Sequence, residues 1–404
     1  MDTQKIIEIS NKYGTPTYVF DEGKLRKRVR AIRQILGDGI SLCYSIKANP
    51  FLIPAMLEET DALEVCSPGE LDICRELNVP GDRIIYSGVS KTEDDIKEAV
   101  EYGPKVYTAE SLNQLKLINI EGQRTGRKLP VILRLNAGSQ FGMSKEDLLF
   151  AVDNRDEYPN VDIEGIHYFA GTQRKKTKDQ ISELGMLRDL FDEIKSSHGL
   201  VLKKLEYGPG LAFPYFEGED FSDTLNPIKE IKEELIATSK VCELTIEMGR
   251  FFVSECGYYL TKITDMKSND KTDYVIIDGG INHINYLGNV MGMKVPVIEH
   301  IKGDDVGISS GAEGSKTTGE KPYTICGSLC TTGDVPVRQT TLNSPEIGDL
   351  LAFKNIGAYS VTEGLYLFLS RMMPAVVLLK EDGKDVPARD RIKTSTLNIP
   401  RITG

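Results

Sequence analysis

Lys47 is the residue whose setting in this chain points most directly to chemistry. It follows an apolar run in the sequence CYSIKANP, over residues 43–50, and a proline closes the run. We predict that this run is a strand with Lys47 at its end, since proline interrupts strands. Burial disfavours the ammonium form of a lysine, which would leave the amine able to form an imine with a carbonyl group. A surface lysine at a strand end is the alternative interpretation.

Four other short runs combine glycine with charged, aromatic or thiol side chains. Glycines let backbone N–H groups approach an anion such as phosphate closely. Each run taken alone is more often structural than functional, so the runs carry weight only together and in order along the chain. They are EYGPGL with Gly208 and Gly210, EMGR with Glu247, Gly249 and Arg250, GSLCTTGD with Cys330, Thr331 and Asp334, and GAY with Tyr359.

Between residues 40 and 250, short β-rich apolar runs alternate with longer segments of helical period. Eight such units predict an α/β fold of the closed (β/α)8 or TIM-barrel type, in which catalytic residues lie at the C-terminal ends of the strands. A doubly wound open sheet is the alternative. The predicted strands are 42–47, 62–67, 83–88, 105–109, 130–136, 163–170, 202–207 and 244–248.

After residue 255 the pattern changes to β-rich runs separated by turn residues, which predicts a mostly β C-terminal domain. Within it, the polar and glycine-rich residues 303–322 are expected to form an exposed loop, and the sequence leaves open whether this loop is an active-site lid. The predicted domain ranges are an N-terminal segment over 1–24 that packs with the β domain, the barrel over 25–255, the β-rich domain over 256–383 and a loosely held tail over 384–404.

Composition excludes several classes of protein. The chain has 404 residues, a formal net charge of −11 and a pI near 5.1, which argues against a nucleic-acid surface. It lacks an apolar run near the roughly 20 residues that span a bilayer, and its start lacks the apolar block of a signal peptide. Seven scattered cysteines and four separated histidines predict free thiols in the cytoplasm and no metal site.

The run YSIKANP, followed in order by the four glycine-containing runs, resembles the fold type III (alanine racemase-like) pyridoxal-phosphate decarboxylases, such as diaminopimelate and ornithine decarboxylases. The resemblance implies that Lys47 binds pyridoxal 5'-phosphate through an imine. It further implies that Glu247 binds the pyridine nitrogen and keeps it protonated, which makes the ring an electron sink. The phosphate would be bound by the glycine turn of Gly208 and Gly210, by the Gly249–Arg250 run, and by Tyr359.

Cys330 is similar to the family cysteine that each subunit contributes to the active site of its neighbour. Its implied role is to protonate the substrate carbon after CO2 leaves, which would make a homodimer part of the mechanism. Cys330 and Glu247 favour decarboxylation over racemisation, because alanine racemases of this fold pair the pyridine nitrogen with an arginine.

The chain departs from diaminopimelate decarboxylases beside the cofactor. Where those enzymes have HxHxGSQ, this chain has HYFAGTQ over residues 167–173. Phe169 takes the place of the histidine that stacks on the cofactor, and Thr172 keeps a hydroxyl near it. His167 shares a strand face with Phe169, and it is either a substrate-contacting residue or a core histidine.

A second departure concerns the substrate. In the run DGGINHINY the arginine that binds a distal carboxylate is missing, and we take Asn282, His283 and Tyr286 as candidate substrate contacts. The acidic residue expected after the cysteine, which would bind a distal amine, is replaced by Thr331, and Asp334 follows three residues later. These variants resemble the subgroup that includes the butirosin-type decarboxylase of amino acids linked to an acyl carrier protein and exosortase-associated decarboxylases.

The sequence therefore predicts a pyridoxal-phosphate enzyme that removes the α-carboxylate of a small amino-acid substrate, which can be modified or tethered to an acyl carrier protein. Decarboxylation of free diaminopimelate or ornithine is the conservative alternative. Two further hypotheses are an inactive regulatory relative of the same fold and an amino-acid racemase or epimerase.

Overall fold

A computed structural model describes residues 1–287, 293–303 and 319–401 of the chain. The loop predicted over 303–322 falls largely on residues 304–318, which lie outside the described residues, and its suggested role as a lid falls there too.

The chain forms two compact units. The β-rich unit consists of Met1–Leu25, Pro214–Phe221 and Val253–Gly404, and the barrel unit consists of Arg26–Phe213 and Ser222–Phe252. Residues 214–221 therefore belong to the β-rich unit, although the predicted ranges assigned them to the barrel. Phe216 forms a β-bridge with Pro296, which ties this excursion to the β-rich unit.

The β-rich unit begins with helix α1 (Thr3–Tyr13) and strand β1 (Thr17–Asp21). Asp2 caps α1 by accepting a hydrogen bond from the Lys5 backbone at 2.8 Å. Strand β1 pairs with two strands from the C-terminal part of the chain, so the first residues are an integral part of this sheet.

The barrel unit contains a closed barrel of eight parallel strands, as the sequence predicted. Every predicted strand overlaps an observed one. The strands are β2 (Ser41–Ser45), β3 (Ala62–Val65), β4 (Ile84–Tyr86), β5 (Val106–Ala109), β6 (Leu129–Arg134), β7 (Val161–Phe169), β8 (Lys204–Gly208) and β9 (Glu243–Met248).

Helices connect consecutive strands of the barrel, and one further helix precedes its first strand and another follows its last. Several begin with a side-chain cap, such as Ser67 before the helix that starts at Pro68. The helices are α2 (Glu22–Leu36), α3 (Ile53–Glu59), α4 (Pro68–Glu76), α5 (Glu93–Tyr102), α6 (Leu112–Thr125), α7 (Lys145–Asp153), α8 (Thr177–His198), α9 (Asn226–Ser239) and the short α10 (Arg250–Val253).

The barrel interior is filled in two ways. A buried apolar layer lies toward the N-terminal ends of the strands, and it consists of Cys43, Ala62, Ile85, Val106 and Ile132. Charged side chains occupy the interior beyond this layer. Buried acids inside strands are rare unless they are paired or functional, so this end of the barrel is where chemistry is expected.

The sheet of the β-rich unit has nine strands, with β1 between β10 and β16. Its core packs side chains of α1, such as Ile6 and Ile9, against the sheet. The remaining strands are β10 (Gly257–Ser268), β11 (Asp273–Ile277), β12 (Ile298–Ile301), β13 (Glu320–Cys326), β14 (Val337–Asn343), β15 (Leu350–Lys354), β16 (Ala375–Leu379) and β17 (Asp385–Arg389).

The expectation of a loosely held tail over 384–404 was wrong for its first part. Strand β17 pairs antiparallel with β16, and Thr394 is buried and donates a hydrogen bond to the Arg371 carbonyl at 2.7 Å. The sequence hid this strand because it is short, polar and carries a proline, which only an edge strand tolerates. Among the described residues, the chain has no helix that is long and apolar enough to span a membrane.

Asp385 connects β17 to helix α1. Its carboxylate accepts hydrogen bonds from Lys5 at 2.9 Å, Lys12 at 2.5 Å and the Tyr13 hydroxyl at 2.8 Å. The bonds from Lys12 and Lys5 hold the pKa of Asp385 well below its usual range.

We predict that D385N lowers the free energy of unfolding at pH 7 by about 1–2 kcal/mol, because hydrogen bonds to a charged group are lost at a partly exposed site. An acid with a lowered pKa adds stability above its unfolded-state pKa and loses it as the pH falls through the folded-state value. The difference measured by urea unfolding should therefore shrink toward pH 3. The control is D382N, whose exposed carboxylate pairs with Lys384 in the neighbouring turn. Equal losses of unfolding free energy in D385N and D382N would contradict the role of Asp385 in connecting β17 to α1.

Candidate active site

The Lys47 amine lies among acids at the C-terminal end of the barrel. Strand β2 ends at Ser45, and a single 3-10 turn over Ile46–Ala48 carries Lys47, whose side chain is 39 % exposed. Its Nζ atom lies 2.5 Å from Glu64 Oε2, 3.5 Å from Glu247 Oε1 and 3.5 Å from Cys66 Sγ. The Cys66 thiol in turn donates to Glu64 Oε1 at 3.1 Å.

The charge state of Lys47 differs from the expectation. Burial by itself would lower the pKa of the Lys47 amine, but Glu64, Cys66 and Glu247 together raise it well above its usual value. The expected desolvated neutral amine is therefore wrong for this structure, because the local sequence does not reveal that two acids flank it.

Glu247 is fixed as an anion near the end of strand β9. Ser45 Oγ donates to its Oε1 at 2.7 Å, and His167 Nε2 lies 3.0 Å from its Oε2. Burial would raise the pKa of Glu247, but Lys47 and His167 lower it well below the usual value. The fully buried His167 thus orients the Glu247 carboxylate.

The glycines at the end of β8 allow neighbouring ring and backbone atoms to lie close to this turn. A side chain at Gly208 would come within 2.5 Å of the Phe169 ring, and one at Gly210 would overlap the Gly171 carbonyl. Gly210 also has a φ of 58°, which favours glycine. The structure thus brings Phe169 against the turn, whereas Thr172 is exposed in the loop that follows β7.

The EMGR run lies beside the Lys47 loop. A Cβ atom at Gly249 would come within 2.9 Å of the Ala48 Cβ, so glycine allows the two loops to pack. Arg250 follows as the first residue of helix α10.

These barrel residues fit pyridoxal phosphate. The cofactor carries an aldehyde, a ring nitrogen and a phosphate, and the barrel offers an amine, a fixed carboxylate and a glycine turn. The glycines let Phe169 and the Gly171 carbonyl pack against the end of β8, and they place no side chain over the backbone of this turn.

In the β-rich unit, Asp334 organises the loop that carries Cys330. Its Oδ2 accepts from the Leu329 backbone at 2.7 Å, and its Oδ1 accepts from the Ile281 backbone at 2.8 Å. Side chains at Gly280 and Gly327 would clash with the Asp334 carboxylate. Asp334 is thus an anchor of the loop, and Cys330 and Thr331 are held exposed to solvent.

The other candidate substrate contacts are buried within the β-rich unit. Asn282 Nδ2 donates to His283 Nε2 at 3.1 Å, and His283 Nδ1 hydrogen-bonds the Tyr259 hydroxyl at 2.9 Å. Burial, with Arg389 and Arg371 nearby, lowers the pKa of His283 to about 3.

The Tyr286 hydroxyl donates a hydrogen bond to the Lys354 carbonyl at 2.7 Å. The placement of Asn282, His283 and Tyr286 favours a structural role for all three residues.

The GAY run has a constrained backbone. A side chain at Gly357 would overlap the Val253 carbonyl, and Tyr359 adopts a φ of 67°. A non-glycine residue in this left-handed region costs free energy and is retained where the surrounding structure or function requires it.

Comparison with known proteins identifies the family. The family described as pyridoxal-dependent decarboxylase, pyridoxal binding domain, matches residues 22–254, which is more than half of the chain. The chain belongs to this family. Its cofactor is pyridoxal phosphate, and the enzyme is an amino-acid decarboxylase. These matches favour decarboxylation over racemisation and over an inactive regulatory role.

Two curated relatives illustrate how widely this family varies. The decarboxylase is 27 % identical to diaminopimelate decarboxylase of Methanocaldococcus jannaschii, over 95 % of this chain and 90 % of the relative. It is equally 27 % identical to the L-glutamyl-(BtrI acyl-carrier protein) decarboxylase of Niallia circulans, over 95 % of this chain and 92 % of the relative.

Solved structures agree on the fold. Diaminopimelate decarboxylase from M. jannaschii aligns with a TM-score of 0.86 at 24 % identity, over 98 % of this chain and 94 % of that chain. Lysine/ornithine decarboxylase from Vibrio vulnificus aligns with a TM-score of 0.80 at 20 % identity, over 94 % and 100 % of the two chains.

Sequence reasoning missed several residues of the decarboxylase site. Glu64 and Cys66 lie around Lys47, Ser45 lies against Glu247, and Glu206 is buried in strand β8. A signal was present for the two acids, since each interrupts an apolar strand run, in ALEV and in KLEYG. A charged residue at an inward-facing strand position points to a functional interior.

We predict that D334N loosens the Cys330 loop, because an amide cannot accept hydrogen bonds through both of its heavy atoms. One backbone N–H then loses its acceptor, at a cost of about 1–3 kcal/mol. Hydrogen exchange at the Ile281 and Leu329 amides should become faster than in wild type. T332A, which changes an exposed residue of the same loop, serves as the control, and unchanged exchange in D334N would contradict the anchoring role.

Proposed function

We propose that this decarboxylase acts on an aminoacyl group tethered to a carrier protein, whose distal end bears no free ammonium group. The observation that carries the proposal is the groove around Cys330. This Cys330 groove has a volume of about 830 Å³ in the β-rich unit, and its polar lining includes Ser328, Cys330, Thr331, Lys267 and Arg371.

The Cys330 groove offers hydroxyl groups and cations but little for a distal amine. Among the described residues, the carboxylates that line it are Asp278 and Asp334. Asp278 already accepts from Thr15 and Thr261, each at 2.6 Å, and Asp334 accepts two backbone N–H groups. A free diaminopimelate or ornithine would bring an ammonium group without a partner, which is costly when desolvated.

A tethered substrate suits this lining better. A thioester has no distal charge, and Arg371, which donates to the Ser328 carbonyl at 2.7 Å, together with Lys267 would favour an anionic group on the carrier arm. The relative from Niallia circulans, which is named for an acyl-carrier-protein substrate, supports the same class. Free diaminopimelate is the second candidate, because the relative from M. jannaschii is named for it.

We further propose roles for the individual residues. When bound, the cofactor supplies an electron sink that accepts the electrons of the broken Cα–carboxylate bond. Lys47 would hold the cofactor, Glu247 would hold the proton on its ring nitrogen, and Gly208 with Gly210, Gly249, Arg250 and Tyr359 would bind its phosphate. Phe169 would stack on the ring, with Thr172 near it, and Cys330 would deliver a proton to the substrate carbon that loses CO2.

A second copy of the chain would supply Cys330. In support, Leu367, Phe368 and Met372 in the β-rich unit are 43–50 % exposed, and so are apolar side chains near the C-terminus, such as Leu397 and Ile399 at 66–68 %. The two segments adjoin, since Asn398 Nδ2 donates to the Leu367 carbonyl at 2.9 Å. Exposed apolar patches of this kind are typical of protein interfaces. Cytoplasmic location is also proposed, and the seven unpaired thiols support it.

We predict that the enzyme releases CO2 from an aminoacyl carrier-protein thioester with a kcat/KM at least tenfold above that for free diaminopimelate or ornithine. The T331E variant should raise kcat/KM for the free amino acids about tenfold relative to the thioester. One new ion pair with the distal ammonium group, of about 1.4 kcal/mol, changes affinity by that factor. CO2 release from each substrate measures both. T332E places the same charge one residue away and is the control. Faster turnover of free diaminopimelate by wild type would refute the carrier proposal.

We predict that K47A and C330A are each inactive and that a mixture of the two regains activity. A mixed dimer holds one site with both Lys47 and Cys330 if the two residues come from different chains. CO2 release after mixing and re-equilibration is the measurement, with each variant alone as the control. A mixture that stays inactive while native mass spectrometry shows mixed dimers would contradict shared sites.

A further inference from the structure

A cavity opens at the end of the barrel opposite Lys47. It has a volume of about 70 Å³, and its lining joins exposed residues at the N-terminal ends of the strands, such as Lys105 and Glu243, to the buried apolar layer. Since one water molecule needs on the order of 10–15 Å³ by this measure, the cavity has room for several. Glu206 lies at its inner end.

Glu206 is a buried acid without a protein partner. Its side chain points into the barrel from β8, beside His167 on β7 and Thr245 on β9, and the residue is 2 % exposed. Both of its carboxylate oxygens are buried and lack a hydrogen-bond partner among the described residues. Buried polar atoms almost always have partners, so water in the cavity is the natural one.

The charges around Glu206 favour its neutral form. Burial raises the pKa of Glu206 well above its usual value, and Glu247 and Glu64 raise it further, against smaller opposing effects of Lys47 and Arg134. Both cations are already engaged, Lys47 with Glu64 at 2.5 Å and Arg134 with Glu110 at 2.8 Å.

Two lysines also line the cavity, but Lys204 pairs with Glu164 at 2.5 Å and Lys105 lies exposed at the mouth. Cys43 on β2 is a buried thiol, and the His167 ring contacts Glu247.

We propose that Glu206 is a neutral carboxylic acid that exchanges its proton with solvent through the cavity at the N-terminal ends of the strands, and that the negative charge therefore stays on Glu247. In the exchange, one cavity water accepts the carboxyl proton while another returns one, so no net charge moves. Glu206 is a positioning residue that acts through Glu247, and this part rests on the proposed role of Glu247.

Infrared spectroscopy of the holoenzyme tests the proposal directly. The difference between wild type and E206Q at pH 7 should contain the C=O band of a protonated acid, and E243Q at the cavity mouth should keep this band. In D2O the band should shift within the mixing time, and more slowly in A62L or V106L, which fill the cavity. Absence of the band, or exchange as slow in wild type as in the filled variants, would overturn the proposal.

Stability against pH gives an independent readout. An acid with a raised folded-state pKa destabilises the fold as the pH rises above the unfolded value of about 4.3. The unfolding constant of wild type relative to E206Q should therefore rise by up to tenfold per pH unit until Glu206 ionises. Parallel pH profiles of the two proteins would refute a neutral Glu206. Neither measurement uses substrate, so failure of the proposed function would not affect the outcome.

Discussion

The balance of charge inside the barrel is the constraint on which the active site depends. Lys47 lies between Glu64 and Glu247, and His167 and Ser45 fix the second of these acids. An isolated charge in this interior would be costly, so each charged group needs a partner at close range. The strands place these partners because their inward-facing positions converge at one end of the barrel.

This balance also fixes the orientation of the side chains that we propose to hold the cofactor. The Glu64 carboxylate accepts a hydrogen bond from the Lys47 amine at 2.5 Å, and His167 and Ser45 contact the Glu247 carboxylate at 3.0 and 2.7 Å. Side chains whose orientation is fixed by second contacts lose less freedom when a ligand binds.

The β-rich unit solves a different problem, which is to hold a thiol exposed on a loop without losing its position. Asp334 does so by accepting backbone N–H groups from two separate segments, and Gly280 and Gly327 make room for it. Because Thr331 stands beside Cys330, the loop presents a hydroxyl group to the groove at this position and not a carboxylate. In the function we propose, substrate choice depends on the side chains that this anchored loop presents, while the barrel residues hold the cofactor.

The sequence by itself predicted the barrel from eight alternating apolar and helical segments, with an open sheet as the alternative, and its resemblance to a pyridoxal-phosphate family predicted the cofactor that the family match confirms. It also predicted Cys330 and Phe169 as site candidates. Only the tertiary structure decided that Glu64 and Cys66 flank Lys47 and that Glu206 lies in the core, since strand register sets which side chains share the interior. The tertiary structure also decided which partners His283 and Asp334 have and that residues 385–389 form strand β17. Each of these depends on contacts between residues that are distant in sequence.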